Sequence, residues 1–307
     1  LFQGQPRDRG LYMPELFPEI SPRELALWKD FSYPELAFEL SKKWIGDTLS
    51  DTDIRDAVTR AYDWDVPLRE IDESLYVLEL WHGPTLAFKD FAARWLGEVI
   101  GMLRGDREIT VLVATSGDTG AAVAAGFFGV PGVRVVVLYP DGGVSPSQEA
   151  QIAGLGGNVT ALTVSGTFDD CQKLVKEAFA DATLREHIML VPANSINIGR
   201  IIPQTFYYVW AYLRLLSFRS GSAFDPMIAA VPSGNFGNVT AGVFSRAQGL
   251  LIGKFIAATN RNDVFTRFLS TGAYDIAPSV ATLSNAMDIG DPSNVARVFD
   301  MYSRDFR

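Results

Sequence analysis

From Leu75 onward, short β-branched runs alternate with stretches of helical period. That alternation is the mark of mostly parallel sheets covered by helices, and it admits few other architectures. The candidate strands are Leu75–Leu80, Ile109–Ala114, Val133–Leu138, Val159–Val164, Ile188–Val191, Met227–Val231 and Phe255–Ala258. Helices fit between them. Ser145-Pro146 opens one, Thr167 with Asp170 caps another, and Ile198–Leu216 reads as one long helix with Pro203 in its first turns. At roughly 150 residues per domain, a chain of 307 residues suggests two compact units. The expected fold is α/β: two doubly wound, mostly parallel α/β lobes behind a helical N-terminal region. The expected division is 1–74 for the helical region, 75–193 for the first α/β unit and 194–307 for the second, with the change-over in the polar turn Pro192–Asn197.

The helical region rests on local signals. Ser21-Pro22-Arg23-Glu24 has the spacing of a capping box with proline in the first turn, and Ser32 with Glu35 repeats it. Lys42 and Lys43 suit the end of the second helix, which stops at Gly46. Hydrophobic residues make up 48% and charged residues 21%, which excludes disordered and low-complexity classes. A net charge of −9 and the lack of a basic stripe argue against a nucleic-acid partner. One cysteine, Cys171, and two histidines, His82 and His187, cannot make a His/Cys zinc site, so no metal is expected. The lone thiol points to a reducing, cytoplasmic setting. Apolar runs fall short of the roughly 18 residues of a membrane span, so no membrane partner is expected. Monomer and homodimer both stay open.

Two places read as strand, glycine-bearing turn and helix. The first turn is Thr115-Ser116-Gly117-Asp118-Thr119-Gly120, and the second is Pro232-Ser233-Gly234-Asn235-Phe236-Gly237-Asn238. Such turns aim backbone N–H groups and the positive end of a helix dipole at one point, which suits a phosphate or carboxylate. Neither carries G-x-G-x-x-G or G-x-x-x-x-G-K-[ST], so dinucleotide and P-loop chemistry lose their usual support. Any doubly wound sheet has glycine turns at strand ends, and for either turn alone that plain reading stands level with a functional one. The pair together favours two anion sites. A third candidate, Asn194-Ser195-Ile196-Asn197-Ile198-Gly199-Arg200, combines amides, a hydroxyl and a bidentate donor at a helix start. Without Arg200 it would equally be ordinary capping.

Lysine accounts for seven of the 27 bases, and one of them, Lys89, opens a helix in Phe88-Lys89-Asp90-Phe91. The helix dipole and aromatic neighbours both disfavour its charge, lower its pKa and free a neutral amine for Schiff-base chemistry. The plainer alternative is a snorkelling lysine paired with Asp90. His82 reads as hydrogen-bonded structure rather than a proton carrier. Ser284-Asn285-Ala286-Met287-Asp288-Ile289-Gly290-Asp291-Pro292-Ser293-Asn294 is a long polar turn, either bordering a cleft or lying on the surface.

His82-Gly83-Pro84-Thr85-Leu86-Ala87-Phe88-Lys89-Asp90, the 114–120 and 194–200 segments, the 232–238 turn and Ser284-Asn285-Ala286-Met287-Asp288 together resemble threonine synthase, in order, from about Gly10 to Arg297. The resemblance implies a pyridoxal 5'-phosphate enzyme of fold type II, the fold of tryptophan synthase β, with a small domain bearing the lysine and part of a large domain bearing the cofactor-phosphate turn. By position, Lys89 would bind the cofactor through a Schiff base and act as the catalytic base. Gly234, Asn235, Phe236, Gly237 and Asn238 would hold the cofactor phosphate, with Asp118 also at the cofactor. Thr115, Ser116 and Thr119 would meet the substrate carboxylate or the cofactor face, while Asn194, Ser195, Asn197 and Arg200 would hold the substrate phosphate. The implied reaction turns O-phospho-L-homoserine and water into L-threonine and phosphate. The alternatives are a serine/threonine dehydratase, which needs no substrate-phosphate site, and a non-catalytic metabolite-binding relative. The family continues past this C-terminus by on the order of a hundred residues, about a domain's worth, so a truncated large lobe is expected.

Overall fold

The computed structural model describes residues 1–6, 8, 10–115, 117–218 and 225–303. Three helices come first: α1 (Pro22–Trp28), α2 (Tyr33–Ile45) and α3 (Asp51–Ala61). Both capping boxes close. In the first, the Ser21 N–H donates to Glu24 Oε2 at 2.8 Å and the Glu24 N–H to Ser21 Oγ at 3.3 Å.

A hairpin follows, β1 (Leu68–Asp72) antiparallel to β2 (Leu75–Leu78), with Leu68 opposite Leu78. This corrects the expected strand Leu75–Leu80, which is the second arm of the hairpin and not part of a parallel sheet. The division expected between residues 74 and 75 falls inside the hairpin turn. β1 lies almost wholly exposed, so Arg69, Glu70 and Asp72 mask it behind charge.

Helix α4 (Lys89–Leu103) leads into β3 (Ile109–Ala114), α5 (Asp118–Phe127), β4 (Val133–Pro140), α6 (Pro146–Ala153), β5 (Val159–Val164), α7 (Phe168–Ala180), α8 (Ala182–His187) and β6 (Met189–Pro192). Their strands form an all-parallel sheet in the order β5-β4-β3-β6, with Val111 aligned with Val135 on one side and Val191 on the other. The chain winds outward from β3 to β5 and then returns to the far side of β3. The order therefore reverses between β3 and β6, and a crevice opens beyond the carboxyl ends of strands at such a reversal. Two expected anion turns, after Ala114 and after Pro192, stand there.

The second parallel pair is β7 (Met227–Pro232) with β8 (Ile252–Ala258), joined through α10 (Gly237–Ala247) and preceded by α9 (Gln204–Phe218). Helices α11 (Val264–Thr271) and α12 (Val295–Ser303) follow. The helix expected over Ile198–Leu216 is broken: a 3₁₀ turn covers Ile198–Arg200, and α9 starts only at Gln204. Pro203 has no N–H, and its ring would collide with the carbonyl four residues back, so a continuous α-helix cannot pass through it.

The segments are joined by one apolar core. At its centre Tyr33, Tyr62, Phe91 and Tyr207 meet edge to face, with Tyr33–Phe91 centroids 5.4 Å apart and Phe91–Tyr207 centroids 5.6 Å apart. Phe91 is fully buried two residues after Lys89, and Trp95 donates to Ser41 Oγ at 2.9 Å. The start of α4 is thereby packed against α2, α3 and α9.

Candidate active site

Lys89 is the first residue of α4, and its side chain keeps 13% of its accessibility. Its amine stands 3.6 Å from Asp118 Oδ2 and 5.8 Å from the centroid of the Phe88 ring. Burial pushes the amine below its ordinary lysine value; Asp118 opposes that shift and Arg200 adds to it. Asp90 does not pair with the amine. It is fully buried and accepts from the Thr85 N–H at 2.9 Å and Thr85 Oγ1 at 2.6 Å, closing the turn that leads into α4. Leu86, in that turn, sits in the left-handed region at φ 58°.

Asp118 opens α5 after Gly117, whose φ of 153° suits glycine. Gln148 on α6 donates to Asp118 Oδ1 at 2.8 Å, leaving Oδ2 toward Lys89.

Arg200 is 3% exposed and makes no ion pair with a described carboxylate. Its Nη1 donates to the Ala193 carbonyl at 2.6 Å, and its Nε has no hydrogen-bond partner among the described residues. Burial pulls the guanidinium down to about 10, with Asp90 working the other way. Asn194 Oδ1 is likewise buried without a partner among the described residues. Unpaired buried polar atoms are costly, which marks this corner as a place for a ligand's polar groups.

After β7, Phe236 takes a left-handed conformation at φ 60° and α10 begins at Gly237. Among the described residues, the N–H groups of Asn235, Phe236, Gly237 and Asn238 donate to no other group. They crown a helix of 11 residues, a ready site for an anion. Lys89, the Asp118 turn, Asn194, Ser195, Arg200 and residues 233–238 line one cleft of about 1450 Å³. A desolvated primary amine in the same cleft as a phosphate-ready helix start is a donor set that fits pyridoxal phosphate.

The profile of the family described as pyridoxal-phosphate dependent enzyme matches residues 47–306, and that of the threonine synthase N terminus matches residues 1–62. The threonine synthase of Haemophilus influenzae is 43% identical over 302 residues, covering 98% of this chain and 70% of that protein. The chain belongs to the threonine synthase family. The crystal structure of threonine synthase from Escherichia coli superposes with a TM-score of 0.90 at 40% identity, over 99% of this chain and 70% of that one. The pyridoxal-phosphate-bound threonine synthase from Brucella melitensis gives 0.91 at 37% identity, over 99% and 66%. The fold is therefore fold type II, and the family's cofactor is pyridoxal phosphate.

Within this threonine synthase fold, Lys89, Thr115, Asp118, Thr119, Asn194, Ser195, Arg200 and Gly234 to Asn238 all line the cleft. Ser116 lies outside the described residues. Asn197 is a correction to the substrate-phosphate set. It is fully buried, its Nδ2 donates to the Leu1 and Pro192 carbonyls at 2.8 Å each, and its Oδ1 accepts from the Gly199 N–H at 2.9 Å. Every polar atom of that side chain is spent on the backbone around it. Thr115 reaches the cleft, yet its Oγ1 is engaged with the Gly117 and Gly120 N–H groups at 3.0 and 2.9 Å. Asn235 likewise offers backbone rather than side chain: its Nδ2 donates to Ser195 Oγ, and its Oδ1 accepts from the Ser293 N–H at 2.6 Å.

His82 lies 2.6 Å from Glu79 through Nε2, on the exposed side. Ala286, Met287, Ile289, Asp291 and Ser293 bring the long polar turn to the cleft. Sequence reading missed Gln148 and Gln204. Gln148, which reaches the site through Asp118, is the N3 residue of a capping box and reads there as a cap alone, while Gln204, which lines the cleft, carries no local motif.

Proposed function

We propose that this cleft performs the threonine synthase reaction, converting O-phospho-L-homoserine and water to L-threonine and phosphate, with Lys89 as its central residue. The observation that carries the residue assignment is the desolvated Lys89 amine, faced by the Asp118 carboxylate and sharing its cleft with two anion-ready helix starts. Lys89 would hold the cofactor's aldehyde carbon, and the N–H groups of Asn235 to Asn238 its phosphate. Pyridoxal phosphate, when bound, supplies an electron sink for a carbanion beside the amino group.

With its amine free, Lys89 Nζ is a base of lowered pKa. It takes the proton from the substrate's α carbon and later returns one. Asp118 keeps Nζ directed across the cleft, and Gln148 holds Asp118 in place. Arg200 presents a buried guanidinium, and Asn194 its Nδ2 amide group, to the substrate phosphate, which leaves the γ carbon with growing negative charge. Thr119 and the Gly117–Gly120 turn face the substrate carboxylate at the start of α5. The β carbon gives up a proton as the phosphate leaves, the γ carbon takes one up to become the methyl group, and water adds its hydroxyl at the β carbon. A cytoplasmic setting agrees with a single, buried thiol.

Product analysis tests the reading. Cofactor-loaded protein given O-phospho-L-homoserine should yield L-threonine and phosphate in equal amounts. A keto acid with ammonia from serine or threonine, and no phosphate release, would assign it to dehydratase chemistry instead.

A further inference from the structure

Arg297, in the first turn of α12, is a buried cation that none of the steps above employs. It is 1% exposed and pairs with no carboxylate among the described residues. Its whole donor set goes to neutral acceptors, from two distant segments and from the neighbouring Asn294. Nε and Nη2 donate to the Tyr12 carbonyl at 3.2 and 3.1 Å, Nη2 also to the Ile196 carbonyl at 2.7 Å, and Nη1 to the Ser195 carbonyl at 3.4 Å and Asn294 Oδ1 at 2.5 Å. Burial pulls it down to about 10. The neighbouring Asn294 extends the junction: its Nδ2 donates to the Ser195 carbonyl at 3.3 Å and its N–H to the Asn235 carbonyl at 3.3 Å.

The guanidinium holds the loop after β6 directly and, through Asn294 and its N–H to the Asn235 carbonyl, joins it to the turn after β7; these are the two places assigned to the substrate phosphate and the cofactor phosphate. A peptide group is planar and trans, so holding the Ser195 carbonyl toward Arg297 turns the Ile196 N–H the opposite way. Ile196 lines the cleft. We propose that Arg297 is a positioning residue for phosphorylated substrate: it fixes the spacing of the two phosphate-holding turns and orients the Ile196 N–H as a further backbone donor to the substrate phosphate. This rests on the functional reading above. The fork geometry is needed, because a lysine ammonium is a single point and cannot span Tyr12, Ile196 and Asn294 together.

The test uses Arg297→Met and Arg297→Lys in the full chain, with urea unfolding as a check on folding. Three readouts follow: kcat and KM for O-phospho-L-homoserine, inhibition by inorganic phosphate, and pyridoxal phosphate affinity by absorbance titration. The expected result is a KM and a phosphate inhibition constant both raised about tenfold or more, with kcat changed far less and no rescue by lysine. Folded variants with unchanged KM and phosphate inhibition, or full rescue by lysine, would overturn the proposal. Should both variants fail to fold, Asn294→Ala decides, since it removes the Oδ1 acceptor that anchors Arg297 Nη1 together with the Nδ2 bond to the Ser195 carbonyl, while the guanidinium stays in place. A raised KM and weaker phosphate inhibition support the proposal, and unchanged values overturn it. A wild-type protein with no turnover of O-phospho-L-homoserine would instead sink the functional reading, and phosphate binding by titration calorimetry would then judge Arg297 on its own.

Discussion

Gly97 and Gly126 lie back to back where α4 crosses α5: a Cβ built on Gly97 would stand 2.1 Å from the Gly126 carbonyl oxygen, and one on Gly126 would stand 2.6 Å from Ala93 C. Each glycine comes eight positions after the first residue of its helix, Lys89 and Asp118 respectively. Two helices in backbone contact at equal depth begin at the same level. The contact therefore brings the amine and the carboxylate together at 3.6 Å.

Gly97→Ala should force that crossing apart. Overpacking of this kind costs about 1–3 kcal/mol, and urea unfolding should show it as a lower midpoint. The same variant should bind pyridoxal phosphate more weakly, because Lys89 loses its register with Asp118. A variant of unchanged stability and cofactor affinity would contradict the role of the crossing.

Asp118→Asn removes the group that opposes the burial-driven fall of the Lys89 pKa, while burial and Arg200 remain. The amine then loses its proton at lower pH. Capture of pyridoxal phosphate by the cofactor-free protein needs the neutral amine, so the alkaline rise of the capture rate should move to lower pH, as followed by stopped-flow absorbance. A move to higher pH would contradict the pairing.

Arg200→Ala removes a buried charged donor from the proposed phosphate corner. Hydrogen bonds to charged groups are worth about 1.5–3 kcal/mol, or roughly 10- to 100-fold in kcat/KM. Phosphate release from O-phospho-L-homoserine should slow by that order, while binding of unphosphorylated threonine, followed by the cofactor spectrum, should change little. Equal losses for both ligands would place Arg200 elsewhere in the mechanism.

What could be read along the chain was what is local. Ser21 with Glu24 and Thr167 with Asp170 signal helix starts within four residues, and both boxes close as spaced. The strands β3, β4, β5 and β7 carry their apolar runs openly, whereas β1 hides behind exposed charge and was missed. Pro203 shows that a proline is compatible with a helix only at its beginning, so the backbone before it had to turn separately.

In the cleft, residue type could nominate a polar side chain but not say which way its atoms face. Asn194 and Asn197 are three positions apart with the same amide; one has a buried oxygen without a partner among the described residues, and the other is wholly engaged with the Leu1 and Pro192 carbonyls and the Gly199 N–H. Arg297 gave no local sign at all, because its partners at Tyr12 and Ser195 are remote in the chain.

The most direct test of the central claim is covalent. Purified protein incubated with pyridoxal phosphate, reduced with borohydride and digested should carry the phosphopyridoxyl group on the peptide containing Lys89, and Lys89→Ala should carry none there. Stable attachment at any of the other lysines, with Lys89 unmodified, would contradict the placement of the cofactor and every residue role that depends on it.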